Sequence, residues 1–172
     1  MPVTYKKIAS VTVGAGGAAN ITFSSIPNTY TDLVVKASTR EAGGTLTTLL
    51  EFNDGTGTNY SWIRIQGASS GTPNAVLGSS VGAIDISVLS GSGDTASTFG
   101  SLEYYVPNYT ASATKIASGD SVTENNGTTA YQRLGGGIWA DNTAINAIIL
   151  TNSSGQNFVQ HSTATLYGIS KS

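Results

Sequence analysis

The sequence predicts an all-β protein, a jelly-roll-like antiparallel β-sandwich folded as a single domain, on three observations. Turn-forming residues recur densely along the whole chain. Between them lie short segments rich in Val, Ile, Thr, Tyr and Phe, at intervals of about 8–15 residues. No stretch sustains the 3.6-residue period of an amphipathic helix, whereas several segments alternate apolar and polar residues with period two.

The elements follow in order. Residues 5–13 form the first candidate strand, closed by Gly14-Ala15-Gly16-Gly17. A short second strand at 20–24 stops at Ile26-Pro27-Asn28. In the third, 32–38, Leu33, Val35 and Ala37 alternate with Val34, Lys36 and Ser38. Gly43-Gly44 separates it from 46–52, and Asn53-Asp54-Gly55 is a hairpin signal before 60–66. Ser69-Ser70-Gly71-Thr72-Pro73-Asn74 reads as a loop leading to a strand at 81–89, where Ile84, Ile86 and Val88 oppose Asp85 and Ser87. Ser90-Gly91-Ser92-Gly93-Asp94 precedes 98–106, Pro107-Asn108 precedes 114–121, and Asn125-Asn126-Gly127 precedes 130–138. Gly135-Gly136-Gly137 inside that strand marks a bulge or a close backbone approach. Residues 144–151 and 162–170 complete the set, on either side of Asn152-Ser153-Ser154-Gly155. Eight to eleven strands without helices fit a two-sheet sandwich. Residues 1–172 are therefore expected to form one domain, with 1–7 as an N-terminal arm.

Composition narrows the chemistry. The chain of 172 residues has no cysteine, which excludes thiolate zinc sites, disulfides and a thiol nucleophile. Ser, Thr and Gly supply about 38 % of it and charged residues only 10 %, against about 25 % in an average domain. The net charge is −2, and of the basic residues only Lys6 and Lys7 are adjacent. Nucleic-acid binding by counterion release needs clustered Lys and Arg, so no nucleic-acid partner is expected. The most apolar run, 144–150, is far shorter than the roughly 20 residues that span a bilayer, so no membrane partner is expected either. Five Asn-X-Ser/Thr sequons, at Asn20, Asn59, Asn108, Asn126 and Asn152, against about three expected by chance from so much Asn, Ser and Thr, read as background.

The candidates for catalysis and ligation each have a plainer reading. His161 beside Ser162 lacks the nucleophile elbow of a hydrolase and reads as a surface or packing histidine. Glu51 and Glu103 fall in predicted strands, where a lone carboxylate faces solvent; spacing shows no pair poised for glycoside hydrolysis. Asn53-Asp54-Gly55-Thr56-Gly57 lacks the alternating ligands and distal Glu of a calcium loop and reads as a turn. Gly91-Ser92-Gly93 has no helix after it to bind phosphate. The expectation is a protein without enzymatic activity, cofactor or metal.

Interface chemistry is the stronger signal. In Ser61-Trp62-Ile63-Arg64-Ile65-Gln66, Ile63 and Ile65 share one face, which the alternation assigns to the core; Trp62, Arg64 and Gln66 then share the outer one. Tyr105 lies across its strand from Leu102, Tyr104 and Val106. Trp and Arg are the types enriched in binding hot spots. Trp62, Arg64 and Tyr105, with Tyr5, Lys6 and Lys7 of the first segment, are the expected contact residues.

Several phrases carry a family resemblance. They are Phe23-Ser24-Ser25-Ile26-Pro27-Asn28-Thr29-Tyr30-Thr31-Asp32-Leu33-Val34, Phe52-Asn53 with Asn59-Tyr60-Ser61, and Tyr105-Val106-Pro107-Asn108-Tyr109. The ending, Phe158 with Ser162-Thr163-Ala164-Thr165-Leu166-Tyr167-Gly168-Ile169, is a fourth. Together, over residues 5–169, they resemble small β-rich virion proteins of tailed bacteriophages, especially of marine and cyanobacterial hosts. The resemblance implies a structural protein of the virion, assembled in the bacterial cytoplasm. The chain begins at Met1 and ends two residues beyond the last candidate strand, with no shaft attached, which favours a capsid decoration or cement protein. Its expected partners are the major capsid protein and copies of itself, as a homotrimer or other symmetric cluster. The alternative is a tail-fibre tip that binds a receptor or glycan, with Tyr60, Trp62, Tyr109 and Trp139 as stacking surfaces.

Overall fold

The computed structural model describes residues 4–44, 47–53, 57–68, 71–124 and 128–170. Eleven strands form in order: β1 (Tyr5–Thr12), β2 (Ile21–Phe23), β3 (Asp32–Thr39), β4 (Thr48–Phe52), β5 (Tyr60–Ala68) and β6 (Asn74–Val81), then β7 (Gly100–Val106), β8 (Lys115–Glu124), β9 (Ala130–Trp139), β10 (Ile148–Asn152) and β11 (Thr163–Ile169). They make an antiparallel sandwich of unequal layers. One sheet has eight strands in the order β1-β11-β3-β7-β8-β9-β5-β6; the other has three, β2-β10-β4. The fold class is the one the alternation predicts.

Period-two burial builds the core. Leu33 and Val35 of β3 and Leu102, Tyr104 and Val106 of β7 face inward from the large sheet. Ile21, Phe23, Leu50, Phe52, Ile148 and Leu150 answer them from the small one. Each fully buried Leu, Ile or Phe contributes about 1.5–3 kcal/mol relative to leaving it in water. Phe52, Tyr60 and Trp139 cluster at one end with ring centroids 5.7–6.3 Å apart. The Tyr60 hydroxyl there accepts the Phe52 amide at 2.9 Å, so the buried phenol is satisfied.

One strand differs from expectation. Residues 84–89 are not part of a sheet ladder; they cross the interior as an extended segment with a single bridge, Leu50 to Ile84. Ile84, Ile86, Val88 and Leu89 are all buried there. The strand lies earlier, as β6, between the loop that ends at Asn74 and the candidate 81–89. All eight of its residues are exposed or half-buried, because an edge strand beyond the reach of the small sheet has no fully covered face.

The triple glycine of β9 is a close approach without a bulge, since its register with β5 and β8 runs unbroken. A Cβ on Gly135 would meet the Ile63 carbonyl at 2.6 Å and Ile86 at 2.9 Å; one on Gly137 would meet Ile84 at 2.8 Å. Those two glycines make room for the crossing segment. Gly136 faces the other way.

Candidate interaction surface

Register places every outward residue of the large sheet in rows across the strands. One row runs Leu77, Ile63, Gly136, Ser118, Tyr105, Val34, Tyr167, Lys7. The next runs Ala75, Ile65, Leu134, Asp120, Glu103, Lys36, Thr165, Ser10. A third holds Ser79, Ser61, Ile138 and Ile116. The outer face therefore has two halves. On β1, β11, β3 and β7 it is polar and aromatic, with Lys36 and Glu103 paired at 2.7 Å. On β8, β9, β5 and β6 it is mostly aliphatic, with Asp120 and Glu124 of β8 as its charged residues.

The aliphatic half is exposed to a degree that single surface residues rarely show together. Leu77 is 71 % accessible, Ile65 58 %, Ile63 and Leu134 57 % each, and Ile116, Val122 and Ile138 are between 40 and 52 %. The outward positions of β9, β5 and β6 carry no charged side chain. A shallow groove of about 700 Å³ crosses the half, floored by Gly136 and Ser118 and walled by Ile63, Leu77, Ile116 and Ile138, with Tyr105 and Pro107 at its end.

This reverses the face assignment made from sequence for β5. Ile63 and Ile65 point outward, and Trp62, Arg64 and Gln66 point toward the small sheet. Arg64 is 8 % accessible and pairs with Asp85 at 2.5 Å. It also donates to the Asp85 carbonyl at 2.8 Å and to Gln66 Oε1 at 2.8 Å, and its guanidinium lies 4.7 Å from the Trp62 ring centre. Trp62 in turn covers Gly78, where a Cβ would strike the indole at 2.6 Å. The second guanidinium, of Arg133, approaches Asp85 at 3.5 Å and donates to the Ser87 carbonyl at 2.6 Å. Two cations thus share one carboxylate, and burial together with the Arg64 charge lowers the Arg133 pKa to about 10. The cluster ties β5 and β9 to the crossing segment; it is a clamp inside the fold, and Arg64 is not available to a partner.

The remaining predicted contacts divide likewise. Tyr105 lies on the outer face, its hydroxyl donating to Asp32 Oδ2 at 2.9 Å. Tyr5 and Lys7 share that face on β1, with Tyr5 edge-on to Tyr167 at 6.2 Å, while Lys6 alternates away opposite Gly168. Residues 5–7 are therefore part of an edge strand and not of a free arm; residues 1–3 lie outside the described residues. Of the aromatics expected to stack on sugars, Tyr60, Tyr109 and Trp139 are buried in the core, so that set is withdrawn. Ser162 Oγ bonds the Arg40 backbone at 3.1 Å on both its amide and its carbonyl, a latch between loops rather than a partner of His161. Asn53 uses its carboxamide on the Ala144 carbonyl and the Asn146 amide; residues 54–56 of the calcium-like turn, with turn residues 69–70 and 125–127, lie outside the described residues.

Sequence reasoning missed Ile65, Leu77, Ile116, Leu134 and Ile138 as surface residues. A signal was present: Ile116, Val122, Leu134 and Ile138 all fall on one face of their strands, and the opposite face carries Ala117, Gly119, Ser121, Gly135 and Gly137. Compared with known proteins, the chain matches no family model, no curated protein and no solved structure.

Proposed function

We propose that this chain is a non-enzymatic structural protein of a virus particle, a capsid decoration protein that associates with copies of itself and bridges neighbouring major capsid subunits. The exposed aliphatic half-face of β8, β9, β5 and β6 carries the reading. Isolated soluble domains seldom leave so many adjacent branched side chains in water, and an association surface requires them. The virion context rests on the resemblance of the four phrases quoted above. The mechanism is additive contact: each copy lies across a subunit boundary, so opening the shell must also break the contacts that copy makes. Quantitative mass spectrometry of purified particles tests it. Hundreds of copies per particle are expected; a count of about three to a few tens would place the protein on the tail instead.

One observation favours the glycan-binding reading. A cleft of about 700 Å³ at the end of the large sheet is lined by Tyr131, Gln66, Asn74, Asp94, Gln132 and Arg133. An aromatic ring beside planar polar side chains suits a sugar, with one apolar face and a rim of hydroxyls. Calorimetric titration with host surface polysaccharide separates the two: saturable heat that Tyr131→Ala abolishes would favour this reading over decoration.

A further inference from the structure

We propose that the aliphatic half-face is covered by a second copy of this chain, packed sheet against sheet about a two-fold axis that runs along the strands between β5 and β9. This rests on the reading of an association protein and names the partner on this face. The argument is the size pattern of the rows. The first reads Leu77, Ile63, then Gly136, Ser118: two large residues on β6 and β5, two small ones on β9 and β8. The third reads Ser79, Ser61, then Ile138, Ile116: two small, then two large. An axis between β5 and β9 turns each row onto itself in reverse. Ile63 of one copy then lies over Gly136 of the other and Leu77 over Ser118; in the third row Ile138 lies over Ser61 and Ile116 over Ser79. Every large side chain of both rows meets a small one. The groove above Gly136 and Ser118 is the space that the other copy's Ile63 and Leu77 fill. The middle row brings Ile65 against Leu134.

Charge and size agree with a self-partner. The outward positions of β9, β5 and β6 are uncharged, and on β8 the charged ones are Asp120 and Glu124. The axis sets Asp120 over Ala75 of the other copy, so two identical faces meet with no like charges opposed. A net charge of −2 offers no attraction to an anionic membrane or an acidic partner. Four strands about seven residues deep span roughly 19 by 24 Å. That is a flat footprint of about 460 Å², and the relief of the protruding aliphatic side chains brings its accessible surface toward the ~800 Å² per partner that a standard interface buries. Sheets packed face to face sit about 10 Å apart, as in the sandwich itself.

The test is the mass of the purified protein by sedimentation velocity and light scattering, without any capsid. The wild type is expected at twice the 17.6 kDa of one chain in the micromolar range. Ile63→Asp is expected to raise the dimer dissociation constant by about thirtyfold or more. Gly136→Ile fills the hole and is expected to raise it about tenfold; a Cβ at Gly136 meets only the Ala117 carbonyl, at 3.4 Å, so the fold accommodates it. Moving the knob, in the double variant Ile63→Ala with Gly136→Ile, is expected to recover most of the loss, which a merely structural effect would not do. A wild-type chain that stays at 17.6 kDa up to about 100 µM overturns the proposal while leaving the particle count to judge the decoration role. A dimer unaffected by Gly136→Ile but broken by Ser79→Pro would be joined through the β6 edge and would equally overturn it.

Discussion

Arg64, Asp85 and Arg133 show how a few side chains hold a layer in place. Asp85 receives two guanidiniums, which also bond the carbonyls of Asp85 and Ser87, so the cluster is satisfied only as a unit. Asp85→Ala leaves two partly buried cations facing each other and is expected to cost about 3 kcal/mol of stability by urea unfolding; a loss under about 0.5 kcal/mol would show that the cluster is a surface pair. Glu41 gives a pH signature. It is buried, and burial raises its carboxyl above the ordinary range while the Ser154 hydroxyl, 2.8 Å away, pulls part of the way back. The fold therefore prefers the protonated form. At pH below the ordinary Glu pKa both states are protonated and no penalty applies; as pH rises through the elevated native pKa, that advantage is lost. Relative to Glu41→Gln, the wild type is expected to lose stability as pH rises above the ordinary Glu range, about pH 4, and a difference that is flat with pH would refute the assignment. Legibility at this scale was partial. Arg64 is visible in the sequence, but its carboxylate partner lies 21 residues away on a segment whose path no local pattern reveals.

At the scale of the element, β9 records both of its faces in three consecutive glycines. Gly135 and Gly137 admit Ile86 and Ile84, whereas Gly136 opens onto solvent. Gly135→Ala and Gly137→Ala are expected to cost about 1–3 kcal/mol each through overpacking. Gly136→Ala, freed of backbone entropy and meeting nothing closer than 3.4 Å, is expected to be neutral or to gain about 0.5 kcal/mol. Thermal unfolding of the three variants checks the alternation, and equal effects at all three would contradict it. The candidate strands fall close to the observed ones wherever alternation is enforced by cover, as in β3 and β7. The pattern fails at 81–89, because a buried extended segment and a strand have the same residues; what separates them is a hydrogen-bonded neighbour, which is a tertiary matter.

The molecule as a whole is shaped by the mismatch of eight strands against three. The small sheet covers the middle of the large one's inner face, and the crossing segment 84–89 lies over small inward residues of β8 and β9. Among the described residues, no segment covers the aliphatic half of the opposite face. Amide hydrogen exchange is expected to be slowest in β3, β7 and β8, which have strands on both sides, and fastest along the outward edges of β1 and β6. Face-to-face dimerisation leaves that ordering intact, since it adds no ladder hydrogen bonds; protection of β6 equal to that of β7 would point to edge pairing instead.

By itself the sequence determined the class of fold, the positions of most strands, the turns between them and the two faces of each alternating segment. Those follow from local sterics and from period-two patterning, which act within a few residues. Only the tertiary structure decided which face is inside. Alternation is symmetric: Ile63 and Ile65 against Trp62 and Arg64 is the same pattern whichever side the second sheet lies on. On β5 the second layer brings Asp85 to Arg64 and leaves the isoleucines in water. That choice rests on where residues 84–89 cross, a contact between segments distant in the chain, and it turns an ordinary core pattern into a candidate surface for association.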